Sequence, residues 1–273
     1  MIENRQIICK FVAKIVKIFK SNLVSLMKKA LEQTGRYFIL MKIVFSRPDK
    51  RSIFWRQFFV DVEKLVLSSI PIVAIISIFI GAVIVIQTAS NIESPFIPKM
   101  YVGYMARESL VLEFCSTMVA LILAGKVGSN IASEIGSMRI SEQIDAMEMM
   151  GVNSANYLIL PKISAATLLN PLLMLMSFML GLVGGALIIV FTGIINLSQY
   201  VEGVQFSFRA YYIFYSMIKM SVFSFIITSI ASYYGYYATG GSLGVGRSST
   251  KAIVISSISI LVANLIITQL MLT

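Results

Sequence analysis

Two ionisable residues, Glu113 and Lys219, stand inside runs that are otherwise apolar. A carboxylate or an ammonium in hydrocarbon is costly, so it usually faces a cavity or a partner charge. Glu113 has two open roles: a place on a substrate pathway, or a structural hydrogen bond or ion pair, with Lys219 as the candidate partner. Lys219 lies about two turns into its apolar run, shallow enough to snorkel toward a membrane surface. A second constellation is spaced for recognition. Glu142, Asp145 and Glu148 recur at i, i+3, i+6 beside an Ile140, Ile144, Met147 stripe, and Gly151 follows where a helix cap is expected. An acidic stripe beside an apolar one suits a groove with basic walls. A solvated surface helix is the bland alternative.

Other chemistry is excluded by absence. The chain has no histidine, which removes Ser-His and Cys-His catalysis and the common metal sites. No catalytic or metal-ligating set stands out. Cys9 and Cys115 fall in a basic and an apolar segment, which disfavours a disulfide. No G-x-x-x-x-G-K-[ST] loop is present, so a nucleotide motor would have to be another chain. The 16 methionines read as packing.

The elements that must position these residues are membrane helices. Of 273 residues, 57% are hydrophobic and 13% charged, against about 25% charged in soluble domains. Apolar runs predict five spans: about 65–88, 106–127, 163–192, 211–233 and 251–272. The fold class is all-α integral membrane, with no soluble domain attached. Residues 89–105, 193–209 and the Gly/Ser-rich 234–250 read as loops. The regular spacing over 7–31 predicts an amphipathic interfacial helix. Pro48, Asp49 and Lys50 mark a break, and 53–63 a second interfacial helix. The chain divides into a basic region, 1–64, and a five-span region, 65–273, with the acidic segment over about 128–160.

Residues 1–64 hold 14 of the 23 Lys and Arg. That block places the N-terminus in the cytoplasm and, after five crossings, the C-terminus outside. Nucleic-acid binding fits poorly, because the cations flank apolar helices and no nucleic-acid module follows. Arg107 and Glu108 read as interface anchors. Gly181 and Gly185, like Gly125 and Gly128, have spacings that permit close helix contact.

The segment AGKVGSNIASEIGSMRISEQIDAMEMMGV, residues 124–152, resembles the signature of the MlaE-type permease family, the membrane subunits of ABC systems that move phospholipids with MCE proteins. Phe79-Ile80-Gly81 followed by Gln87 is similar to that family's first-span pattern. Pro161, Pro171, Gly181, Gly184 and Gly185, then Gly235-Tyr236, Gly244 to Arg247 and Thr250, add support over about 200 residues. One departure stands out: where the family commonly has R-E-L-G-P, this chain has Leu112, Glu113, Phe114, Cys115 and Ser116, and keeps only the acid.

The resemblance implies an interfacial N-terminal helix, five spans and a cytoplasmic coupling helix between the second and third. It implies a homodimer in a bacterial inner membrane, bound to an ABC ATPase that holds the ATP and Mg, beneath an MCE-domain substrate-binding protein. Phospholipid would pass between that membrane and a periplasmic carrier, with no bond chemistry and no cofactor in this chain. Glu113, Phe79, Gln87 and Lys219 would line the pathway. Glu134, Arg139, Glu142, Gln143, Asp145 and Glu148 would couple to the ATPase. Gly81, Gly125, Gly128, Gly181 and Gly185 would pack helices. The rivals are a stand-alone secondary carrier or channel, which would often show internal repeats, and an intramembrane lipid-modifying enzyme.

Overall fold

A computed structural model of the chain describes residues 28, 31–46, 51–92 and 98–272. The interfacial-helix expectation for 7–31, the break at 48–50 and Cys9 fall almost wholly outside them. Two compact units divide the chain at residues 46 and 47. In the first, residues 31–44 form helix α1, where Arg36 pairs with Glu32 one turn away at 2.7 Å. The second unit holds everything discussed below.

Among the described residues there is no strand, and five helices are long and apolar enough to cross a membrane. They are α2 (Ser52–Asn91), α3 (Met100–Ile140), α5 (Ser154–Thr192), α7 (Ala210–Tyr236) and α8 (Gly241–Leu272). Two short helices interrupt them: α4 (Gln143–Met149) between α3 and α5, and α6 (Leu197–Gln205) between α5 and α7.

The helices outrun the apolar runs, α2, α3 and α7 at both ends and α5 and α8 at their N-terminal ends. Polar ends can stay helical in water or head groups, and hydropathy marks only the part needing hydrocarbon. The segment 53–63 is continuous with the first span, not a separate helix. Its aromatic residues still cluster, with Trp55 and Phe58 edge to face at 5.5 Å. Inside α2, Pro71 lacks the N–H that would bond one turn back. The backbone answers with a wide turn over Val62–Val66 and a tight one over Leu67–Ser69. The Leu67 carbonyl, one turn before Pro71, accepts from the Ile70 N–H, and the Ser68 carbonyl accepts from Lys126 of α3.

Two expectations about loops change, and so does the reading of the acidic segment. The stretch 193–209 contains α6. The stretch 234–250 is mostly helix, because α8 starts at Gly241. Gly244 fits there because its bare Cα lets the Thr239 carbonyl press against the first turn. The acidic segment is not one helix. α3 runs on to Ile140, Glu142 takes a left-handed backbone with φ of 59°, and α4 ends at Met149. The N–H groups of Gly151 and Val152 then close back on Glu148 and Met147, a Schellman ending with Gly151 at φ of 77°.

The core is a stack of α2 and α7 on either side of α5, with α3 running through it. At the α2–α5 crossing the backbones touch. A Cβ on Gly81 would overlap the Gly181 carbonyl, and one on Gly184 would overlap the Ile78 carbonyl. Bulk is excluded there by atoms that cannot move aside. Buried hydroxyls bridge the same helices, as in Ser77 to Ser177 at 2.7 Å.

Candidate functional site

Glu113 sits in a stretch of α3, Leu110–Met118, whose turns widen to π-helical geometry. Glu113 and Thr117, four residues apart, lie on one face of it. Thr117 Oγ1 donates to Glu113 Oε2 at 3.2 Å. From α7, Lys219 reaches Glu113 Oε1 at 2.9 Å. From α8, Asn264 Nδ2 donates to Oε2 at 3.1 Å, and Thr268 Oγ1 lies 3.4 Å from Oε1. Three helices therefore converge on one carboxylate.

Lys219 does not snorkel. Its side chain is 0% exposed, and it donates to the Leu112 carbonyl at 3.0 Å and Tyr215 Oη at 3.1 Å as well as to Glu113. The reason is that partners lie closer than any surface, and an ammonium saturated with acceptors has no cause to leave. Glu113 differs: 41% of its side chain remains exposed. Phe79 and Gln87 face outward from α2, and neither joins this cluster. Sequence reading finds the two charges but misses Thr117, Tyr215, Asn264 and Thr268. The Asn264–Thr268 spacing of four, in an apolar helix, was the available signal.

A second buried charge cluster lies at the α4 end of the bundle. Lys162 of α5 is 2% exposed and bonds Asp61 Oδ1 of α2 and Glu134 Oε2 of α3, both at 2.8 Å. Lys64 approaches Glu134 Oε1 at 3.7 Å. Glu134 thus points inward, into a bridge of three helices. Asp61 and Lys162 were not singled out, because each sits at the rim of an apolar run where charge is ordinary.

The α4 turn carries the remaining coupling candidates. Arg139 Nη1 donates to Asp145 Oδ1 at 2.6 Å across the α3–α4 break. Glu148 accepts from Tyr236 Oη at 2.7 Å and from Ser154 Oγ at 2.9 Å, tying α4 to α7 and α5. The Tyr236 phenol, and then the Ser154 hydroxyl, hold the Glu148 carboxyl below its ordinary value. Ile144 is wholly buried beneath the turn. Met149 and Met150 are 89% and 72% exposed, and Glu142, Gln143 and Asp145 lie exposed beside them. The turn therefore presents a bare thioether tip with a polar rim. The three acids are not one stripe: Glu142 is in the break, Asp145 pairs with Arg139, and Glu148, though exposed, is tied back to Tyr236 and Ser154.

At the opposite end, Arg107 is buried rather than an interface anchor. It donates to the carbonyls of Val204 and Phe206 at 2.8 and 2.9 Å, caps α6, and also meets Glu108. The Tyr104 and Phe208 rings cover it at 5.1 and 5.7 Å. Backbones touch here too: a Cβ on Gly203 would overlap the Met100 carbonyl. Gly125 has open space around it, Gly128 meets Ile227 at ordinary contact, and Gly185 lies under Tyr200 and Val85. Among the described residues no group of acids and cysteines is placed to hold a metal.

Comparison with known proteins agrees with this architecture. The profile of one family, described as Permease MlaE, matches residues 58–270. A protein of Rickettsia bellii named "Probable ABC transporter permease protein" is 38% identical over 74% of this chain and 78% of its own. "Protein TRIGALACTOSYLDIACYLGLYCEROL 1, chloroplastic" of Arabidopsis thaliana is 30% identical over 81% of this chain and 63% of its own. "Intermembrane phospholipid transport system permease protein MlaE" of Haemophilus influenzae is 28% identical over 89% of this chain and 92% of its own.

Proposed function

Because this chain belongs to the MlaE permease family, we propose that it is the membrane subunit of an ABC-type phospholipid transporter. In this reading it pairs with a second copy of itself, takes its drive from a separate ATPase that binds ATP and Mg, and exchanges lipid with an MCE-domain partner. It makes and breaks no covalent bond. The basic block of residues 1–64 supports a cytoplasmic N-terminus in a bacterial inner membrane and, across five spans, a periplasmic C-terminus. The α4 turn then lies in the cytoplasm, on the motor's side.

The observation that carries the reading is the α4 tip. Met149 and Met150 are the most exposed large apolar side chains of the turn. A bare apolar tip with a polar rim, held rigidly by Ile144, Glu148 and Asp145, suits insertion into a partner's groove. Rocking of that partner would pass through α3 and α5 to the spans.

The test is copurification from gently extracted membranes, read by native mass spectrometry. The wild-type chain should appear as two copies with ATPase subunits and bound phospholipid. The Met149→Asp, Met150→Asp double variant should keep its fold and its second copy but lose the ATPase. A full ATPase complement on that variant, with normal lipid movement, would remove the docking assignment.

A further inference from the structure

Lys162 stands about two turns beyond the start of α5 at Ser154, and Glu134 about as far before the end of α3 at Ile140. Their 2.8 Å bond braces the two arms of the α4 turn. The turn between them is itself tied down, by Arg139 to Asp145 and by Glu148 to Tyr236 and Ser154. A push on its tip is therefore passed to both arms rather than absorbed in the turn.

Asp61 of α2 is the third member. It is wholly buried, and its Oδ1 accepts from Lys162 at 2.8 Å. Its Oδ2 has no hydrogen-bond partner among the described residues, so Lys162 is its principal tether. Directly after Asp61 the regular bonding of α2 stops, with the wide turn over Val62–Val66, the tight one over Leu67–Ser69 and then Pro71. Such a stretch is where a helix bends at least cost. From α3, Lys126 holds the Ser68 carbonyl of this stretch, and Glu134 meets Lys64 at 3.7 Å. Farther along, backbone contact at Gly81 and Gly184 pins α2 to α5. The soft segment thus lies between a pinned crossing and the Asp61 tether.

Resting on the motor-driven permease reading, we propose that Asp61, Glu134 and Lys162 are positioning residues, the joint through which displacement of the α4 turn bends α2 at residues 62–69. One ammonium holds carboxylates from two other helices. Neither α3 nor α2 can slide against α5 without stretching a bond whose loss leaves charge unpaired in a dry site. The easier response is a change of shape in the one segment whose own bonding is irregular, and the first span follows it.

The experiment uses the chain with the subunits that copurify with it, reconstituted in phospholipid. It reads hydrogen exchange with and without a non-hydrolysable ATP analogue, and lipid moved per ATP hydrolysed. In the wild type the nucleotide should change exchange over both 141–153 and 62–69. The Asp61→Leu, Lys162→Met double variant removes the buried pair together and leaves Glu134 to Lys64. It should keep its ATPase and the response over 141–153 but lose the response over 62–69. Lipid moved per ATP should fall at least about fivefold, the lower end of an ordinary coupling between sites. A bridge that only stabilises the fold would loosen the protein generally and leave the two responses paired. That result, or a wild-type ratio of lipid to ATP in the variant, overturns the joint. Should the variant fail to assemble, the wild type decides: paired responses uphold the joint, and a response over 141–153 without one over 62–69 overturns it while the motor reading stands. A wild-type complex with no ATPase, or with an α4 turn indifferent to nucleotide, overturns both.

Discussion

Lys219 Nζ lies 2.9 Å from Glu113 Oε1, across the contact between α7 and α3. The burial is unequal, so the two truncations should be unequal. Removing one partner of a buried pair costs about 3–5 kcal/mol, mainly through the charge left behind. Glu113→Ala strands a fully buried ammonium and belongs at the upper end. Lys219→Met strands a carboxylate that is already part open and belongs at or below the lower end. The double variant should cost less than the sum. Thermal unfolding of the detergent-solubilised protein, arranged as a double-mutant cycle, measures this. Equal costs for the two single variants would contradict the asymmetry.

Gly81 faces the Gly181 carbonyl at a distance that leaves no room for a methyl group. Overpacking a core typically costs about 1–3 kcal/mol, and the obstacle here is backbone. Gly81→Ala should fall at the top of that range and lower the yield of folded protein. Gly125→Ala, with open space around it, should change stability by less than about 0.5 kcal/mol. Fluorescence-detected size-exclusion of the two variants side by side would show whether crossing distance or glycine content matters.

What the sequence discloses follows from where the physics is local. Hydrocarbon demands apolar side chains one after another, so five spans could be read off directly, and a charge within such a run announces itself. Glu113 and Lys219 were visible for that reason. Their partners were not, because Thr117, Tyr215, Asn264 and Thr268 are ordinary residues until helix register brings them together. Helix ends were misread for the converse reason. α3 continues past Val127 to Ile140 on polar residues that hydropathy leaves outside the span, and α6 is too short to show a period. Spacing alone put Glu142, Asp145 and Glu148 on one face; the left-handed backbone at Glu142 separates them.

Glu148 makes the α4 turn pH-dependent in a definite direction. Its carboxyl is held below the ordinary value by Tyr236 and then Ser154. A depressed carboxyl contributes stability above its unfolded value of about 4.3, and that contribution is lost as pH falls through the lower folded value. Hydrogen exchange over residues 141–153, corrected for intrinsic rates, should be flat from about pH 8 to 5 and rise below about pH 4. The rise should be a few-fold, the scale left to a mostly exposed carboxylate. Glu148→Gln should remove the pH step and exchange faster at neutral pH. A step that persists in that variant would place its origin elsewhere.

Arg107 fixes the short helix at the other end. α6 has nine residues, too few to hold together alone, so its order must come from outside. Arg107 supplies it by donating to the Val204 and Phe206 carbonyls, which would otherwise end the helix unpaired. The close Gly203–Met100 and Gly103–Tyr200 approaches hold the same helix from its flank, independently of charge. Arg107→Met keeps the apolar stem under Tyr104 and Phe208 but removes both donors. It should cost about 1–3 kcal/mol, since acceptors lose their partners in a dry site. The loss should be local: exchange over 197–206 rises while the five spans keep their protection. Arg107→Lys restores the charge but not the forked geometry that serves two carbonyls at once, so it should recover less than half of the loss. Full recovery with lysine would mean that charge alone, and not the paired carbonyl contact, seats α6 on α3.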